Sequence, residues 1–255
     1  GVINLVGILY ERGKQNFFDI QEEGAATVAA HAAKAGIRRF VQMSAIGADP
    51  KSHARYARTK GEAEESVRTA IPEAVIIRPS IMFGPGDGFF NKFADMAKFY
   101  PVLPSIGFGN TKFQPVYVVD AARAIVNALD NPNAAGKTFE LGGPRVYTFK
   151  QLLKYVTTEI QRPKWLVPLP FFIAHPMGMI IGMIYRLPLV TDMLGAPPVT
   201  ADQVELLKKP NIVGAKALTI ADLGVTNPET VEAIVPTYLW RFRPYGQFQT
   251  KQAVS

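Results

Sequence analysis

Three apolar runs separated by helical stripes constrain this chain more than anything else in it. Residues 1–9, Gly-Val-Ile-Asn-Leu-Val-Gly-Ile-Leu, read as a fully buried strand. Segment 19–34 then carries Ala25, Val28, Ala29, Ala32 and Ala33 on one helical stripe and stops at Ala35-Gly36. Residues 39–44 form a second apolar strand, 54–70 a second helix, and 74–79 a third strand. Strands joined by helices of this length are parallel neighbours, because a parallel pair needs a crossover and the crossover is right-handed. The pattern predicts an α/β fold with a doubly wound, Rossmann-like parallel sheet.

Residues 1–83 make up this Rossmann-like portion. From residue 84 the pattern loosens, with a loop at 84–88, a helix at 89–100, a strand at 112–119, a helix at 121–129, a strand at 138–141 and a helix at 149–160. Segment 84–255 therefore reads as a smaller α+β C-terminal lobe that also returns to the sheet. Thr200 and Gln203 form a capping-box pattern, and Asn227-Pro228-Glu229 reads as the start of a helix with Val231, Ile234, Val235 and Leu239 on one stripe. The tail from Arg241 is aromatic and basic, with Tyr245-Gly246-Gln247-Phe248 and no periodicity.

Residues 166–185 are as long as a membrane span and hold no Asp, Glu, Lys or Arg, with His175 as the one histidine. Pro168, Pro170 and Pro176 interrupt the run and leave 177–185 too short to cross a bilayer. Two expectations stand for 166–190: a buried core helix, or an apolar face docked on a membrane surface or a membrane-domain partner.

Composition narrows the function classes. The net charge is +7, but the basic residues are scattered, so the clustered footprint of a nucleic-acid binder is missing. There is no cysteine, which excludes disulfides, thiolate metal sites and thiol chemistry. His31, His53 and His175 are far apart in the chain and predict no metal cluster. The apolar opening has no basic flank and no small-residue cleavage site, and does not read as a signal peptide.

Tyr56 and Lys60 lie one helical turn apart on one face. A nearby cation favours the phenolate, so this pair predicts a tyrosine able to act as acid or base near neutral pH. Ser44 ends the second strand and Arg78-Pro79-Ser80-Ile81 the third, on the edge where such sheets bind ligands, and Asn4, Leu5 and Val6 lie at the end of the first. With Ser44, Tyr56 and Lys60 as its triad and Arg78-Pro79 after the third strand, the sequence resembles the extended short-chain dehydrogenase/reductase superfamily. Residues 4–11, 44–49, 113–120, 217–224 and 234–239 narrow this to a resemblance to the NADPH-binding accessory subunits of respiratory complex I, in a bacterial form.

The resemblance implies NADPH as cofactor, held for structure, and other complex I subunits as partners. It implies a peripheral position on the cytoplasmic face of the bacterial inner membrane, equivalent to the mitochondrial matrix side. Tyr56 and Lys60 would bind the nicotinamide ribose, Ser44 would lie near the nicotinamide with Pro79, Ser80 and Ile81 flanking it, and Asn4, Leu5 and Val6 would line the adenosine half. The family's Gly-x-Gly-x-x-Gly phosphate loop does not occur, as if two initial βαβ steps of roughly 30 residues each were missing. The alternative is an active reductase or epimerase on a nucleotide sugar or hydroxysteroid-like alcohol, with Ser44, Tyr56 and Lys60 catalytic.

Overall fold

The computed structural model describes residues 1–185, 187, 190 and 197–246. In chain order the sheet-forming half runs β1 (Val2–Asn4), a π-turn at Phe18–Glu23 leading into α1 (Gly24–Lys34), β2 (Phe40–Met43), α2 (Arg55–Ala70) and β3 (Val75–Pro79). Next come β4 (Met82–Phe83), α3 (Phe90–Phe99), β5 (Val102–Ile106), β6 (Lys112–Phe113), β7 (Val116–Tyr117) and α4 (Val118–Asp130). They are followed by β8 (Thr138–Leu141), β9 (Tyr147–Thr148), α5 (Phe149–Glu159), β10 (Trp165–Leu169) and α6 (Phe171–Ile184). The last elements are α7 (Ala201–Leu206), β11 (Leu218–Thr219), α8 (Val231–Ile234) and α9 (Pro236–Leu239).

Five parallel strands form the sheet, in the order β1-β2-β3-β8-β11. Side chains alternate across it, as the period of two requires. Phe40 packs with Ala25, Ala29 and Val67 of α1 and α2 on one face. Its neighbour Val41 packs with Ala121, Ala124 and Ile125 of α4 on the other. Helices on both faces cover the sheet and bury its inner positions, Val41, Ile76 and Ile77 among them, which is why those segments read as largely apolar runs. The C-terminal lobe has its own core of Phe83, Phe90, Leu103, Phe149, Leu152, Leu153, Val235 and Leu239, closed by the two-stranded β5–β10 ribbon.

Four expectations need correction. The first strand stops at Asn4 rather than Leu9: Asn4 Oδ1 takes the Val6 amide at 3.2 Å and turns the chain out of the ladder, leaving Leu5, Val6 and Leu9 exposed. The strand expected over 112–119 is two short pieces around Pro115, and the helix begins earlier, at Val118, with Asp120 in its first turn. Pro176 does not break α6, which runs through it for 14 residues. An interior proline costs a helix about 3 kcal/mol, and packing of the Ala174, Met177 and Ile181 face on the C-terminal core offsets that. Finally, the helix expected to start at Asn227 starts at Val231, capped by Thr230, because Asp120 Oδ2 holds the Glu229 amide at 2.7 Å in extended chain.

The capping box at Thr200 is present as read. Gln247 and Phe248 of the tail, and part of the 166–190 segment, lie outside the described residues. Among the described residues no helix is long and apolar enough to cross a membrane, and no group of His, Asp and Glu could hold a metal ion.

Candidate functional site

The carboxyl ends of β1, β2 and β3 open on a cleft of about 1140 Å³ that continues into the C-terminal lobe. Leu5, Ser44, Tyr56, Lys60, Pro79, Ser80 and Ile81 all line it, whereas Asn4 and Val6 are not among its lining residues. Asn4 is buried beneath the end of β1, with its amide donating to Gln42 Oε1 at 2.9 Å.

Helix α2 is held against the loop after Ser44 by a close approach at Gly61, where a Cβ would stand 2.4 Å from Pro50 N. Its first residues have no cap of their own, since Ala54 occupies the N-cap. Asp202 of α7 does the work instead: its carboxylate accepts the Arg55 amide at 2.5 Å and the Tyr56 amide at 3.0 Å. Two orphan donors of the helix are thereby satisfied by a residue from the other lobe.

Lys60 is almost fully buried, and its Nζ donates to the Met43 carbonyl at 3.3 Å. Burial lowers its pKa to about 8, with Glu64 pulling the other way. Gly7 passes so close that a Cβ there would lie 2.9 Å from Lys60 Nζ. Beside the same point lies Gln21 Oε1, a buried acceptor without a hydrogen-bond partner.

Tyr56 does not match the expectation of an accessible phenolate. Burial, then the negative charge of Asp202, raises its pKa to about 12, so desolvation of the anion outweighs the cation one turn away. Its ring meets Phe17 edge-on at 5.9 Å between centroids.

Ser44 belongs to a charged network that the sequence reading missed. Its hydroxyl donates to Glu64 Oε1, and Arg78 grips the same carboxylate through Nε at 2.8 Å and Nη2 at 2.6 Å. The Glu64 hydrogen bond, foremost among the causes, raises the Arg78 pKa further. Glu64 follows Lys60 by four residues, so the helical spacing that linked Tyr56 to Lys60 would also have found it. Ser80 is likewise engaged, with Oγ 2.7 Å from Asn211 Oδ1. Asn211 also takes the Ile81 amide and donates to the Ile46 carbonyl, clamping the strand ends together.

A parallel sheet with helices on both faces, and a tyrosine and lysine of one helix facing its strand ends, define a class of dinucleotide-binding proteins. Residues 9–142 match the NAD dependent epimerase/dehydratase family, and the chain belongs to that family.

Within that class the nearer relatives are specific. The chain is 39% identical over 249 residues to the mitochondrial NADH dehydrogenase (ubiquinone) 1 alpha subcomplex subunit 9 of Arabidopsis thaliana, across 96% of this chain and 61% of that protein. It is 31% identical over 252 residues to the mitochondrial NADH-ubiquinone oxidoreductase 40 kDa subunit of Neurospora crassa, across 99% of this chain and 64% of that protein. The chain thus spans less than two thirds of the length of the curated relatives it matches. A nucleoside-diphosphate-sugar epimerase from Staphylococcus aureus shares the fold at 13% identity and a TM-score of 0.65, over 90% of this chain and 74% of that one.

Proposed function

We propose that the chain is the nicotinamide-side part of an accessory subunit of NADH:ubiquinone oxidoreductase, with NADPH held as a structural ligand. The observation that carries this reading is identity of 31–39% to two such subunits over nearly the whole chain. The cofactor itself rests on the family match and on the fit of the cleft. The unpartnered Gln21 Oε1, the Lys60 ammonium with its one long bond and the backbone approach at Gly7 suit a ribose with hydroxyls that donate and accept.

In this reading Lys60 and Tyr56 hold the nicotinamide ribose. Ser44, Pro79, Ser80 and Ile81 lie beside the nicotinamide and Leu5 runs along the adenosine side, while Asn4 and Val6, which do not line the cleft, support the end of β1 behind it. When bound, the nicotinamide is a hydride donor or acceptor. The surrounding residues favour holding over turnover: Tyr56 stays protonated far above neutral pH, and the Ser44 proton points at Glu64 instead of at a substrate carbonyl.

The outer face of α6, with Phe172, Met179, Ile180 and Met183 exposed, suits docking on a membrane surface or an apolar subunit at the cytoplasmic face. The active reductase or epimerase remains the second reading, favoured by one observation: Ser44, Tyr56 and Lys60 share one cleft.

The two readings separate in cells carrying Tyr56→Phe or Lys60→Met in the full-length protein. A structural ligand predicts near-normal assembly of the oxidoreductase with Tyr56→Phe and reduced assembly with Lys60→Met. Normal assembly in both, with an oxidoreductase activity that falls 10²- to 10⁴-fold in Tyr56→Phe, the usual worth of an acid–base group, would transfer the assignment to the reductase.

A further inference from the structure

Beyond the strand ends the cleft changes character. Its far wall is aromatic: Phe89 meets Phe93 edge-on at 5.0 Å between centroids, and Phe93 meets Phe149 edge-on at 5.5 Å, with Phe113 completing the group at 5.9 Å from Phe89. Met177 and Ile181, on the inner side of α6, line the same space.

The polar groups along this wall are tied up internally. Asp87 accepts the Phe89 and Phe90 amides and the Tyr238 hydroxyl, and Glu205 pairs with Lys208 at 2.6 Å. Asn211 is held by Ser80, Ile81 and Ile46. A nucleotide sugar would bring many hydroxyls to a surface with few groups free to pair with them, each losing its water.

Lys92, which lines the cleft beside the rings, is not tied up in this way. It projects from α3 between Phe89, Phe93 and Met96 and lines the cleft, and among the described residues it has no carboxylate or hydrogen-bond partner. Burial alone lowers its pKa to about 8. A half-buried cation without an anion, set in an aromatic and methionine wall, is chemically the complement of an acid head on an apolar tail.

We infer that the C-terminal half of the cleft binds a single-chain anionic amphiphile, with the acyl chain along Phe89, Phe93, Phe149 and Ile181 and the acid head on Lys92. The placement of α6 gives such a ligand a route. This helix presents Met177 and Ile181 to the cleft and Phe172, Ile180 and Met183 outward, so one helix separates the acyl site from the exposed apolar face. The inference concerns the far wall and does not depend on the accessory-subunit reading.

The test is displacement of cis-parinaric acid fluorescence from the full-length protein by saturated fatty acids of 8 to 16 carbons. Affinity should climb about fourfold per methylene, the factor for burying one such group, until the wall is covered. Lys92→Met, which keeps the stem volume, should weaken palmitate on the order of tenfold, the loss of one charge-assisted hydrogen bond, and Lys92→Arg should restore it. Hexadecanol should bind the parent protein no better than palmitate binds Lys92→Met. A lysophosphatidate arm distinguishes a membrane-derived head group from a free fatty acid, and tighter binding of either one supports the site.

Three results would overturn the inference. These are affinity independent of chain length, unchanged palmitate affinity in Lys92→Met, or loss of binding in Ile180→Glu with Met183→Glu, which would put the chains on the outer face. Dinucleotide binding in Lys92→Met should be retained, while Lys60→Met removes it, so failure at one end of the cleft is distinguishable from failure at the other.

Discussion

Lys60 should make the protein less stable without its ligand, and Lys60→Met should reveal this. The ammonium is buried, and its pKa falls from 10.5 to about 8, chiefly through desolvation. At about 1.4 kcal/mol per tenfold change in proton affinity, the charged form is disfavoured in place by about 3 kcal/mol. Methionine fills the same stem volume but gives up the bond to the Met43 carbonyl, worth about 1 kcal/mol, so the unliganded variant should gain about 2 kcal/mol at pH 7.

The sign of the pH dependence follows from the lowered value. Between pH 8 and 10.5 the unfolded chain holds a proton at this site that the folded chain releases, so the penalty is complete below pH 8 and lifts as pH rises. Relative to the variant, the parent should gain about 2 kcal/mol of stability between pH 7 and pH 9.5. Lys92, also lowered to about 8 by burial, adds a slope to both proteins, and the difference between them isolates Lys60. Urea unfolding of the ligand-free proteins at the two pH values measures it. A variant no more stable than the parent at pH 7, with the same rise toward pH 9.5, would refute the desolvation argument.

Other outcomes follow from the network and the surfaces. Arg78→Met strands the Glu64 carboxylate and should cost about 3–5 kcal/mol in urea unfolding; adding Glu64→Leu should recover most of that loss, and no recovery would mean the charge was never the cause. Asp202→Ala removes the side-chain acceptor of the Arg55 and Tyr56 amides at the start of α2 and should cost about 0.5–2 kcal/mol, with the Tyr56 pKa falling toward its ordinary value in a spectrophotometric titration. Phe172→Glu with Met183→Glu, both on exposed positions, should leave the melting temperature within about 2 °C and abolish flotation with vesicles or co-purification with membrane-domain subunits. Intact association would assign the docking to another face.

The sheet was legible because its physics is local and repeated. Strands covered on both faces are mostly apolar, and 74–79, apolar but for Arg78, declared itself on that ground. The misreadings share a cause, which is tertiary contact overriding a local signal. Residues 5–9 are as apolar as residues 2–4, yet β1 pairs only with β2 and the Asn4 side chain ends the ladder. Residues 227–229 carry a sound helix-start pattern, but the buried Asp120, 109 residues away, holds the Glu229 amide in extended chain. Pro176 is a helix breaker only where nothing repays it, and here the face around it is packed.

Two rules reach the cleft from sequence: strand ends, which bring Leu5, Ser44, Pro79, Ser80 and Ile81 to its lining, and helical spacing. Tyr56, Lys60 and Glu64 fall on one face of α2, so a single spacing rule reaches all three. The rule supplies proximity, however, and not solvation: it predicts a cation helping a phenolate, whereas the fold removes water from both and makes each charge costlier than its neighbour can offset. Asp202 lies beyond any such rule. It is 146 residues from Tyr56, its own surroundings spell only the capping box of α7, and its second use as the cap of α2 exists only once the lobes have met. Because α7 packs on α6, the start of the Tyr56–Lys60 helix is fixed by the same pair of helices that presents the apolar outer face, so the geometry of the strand-end cleft depends on how those two helices pack.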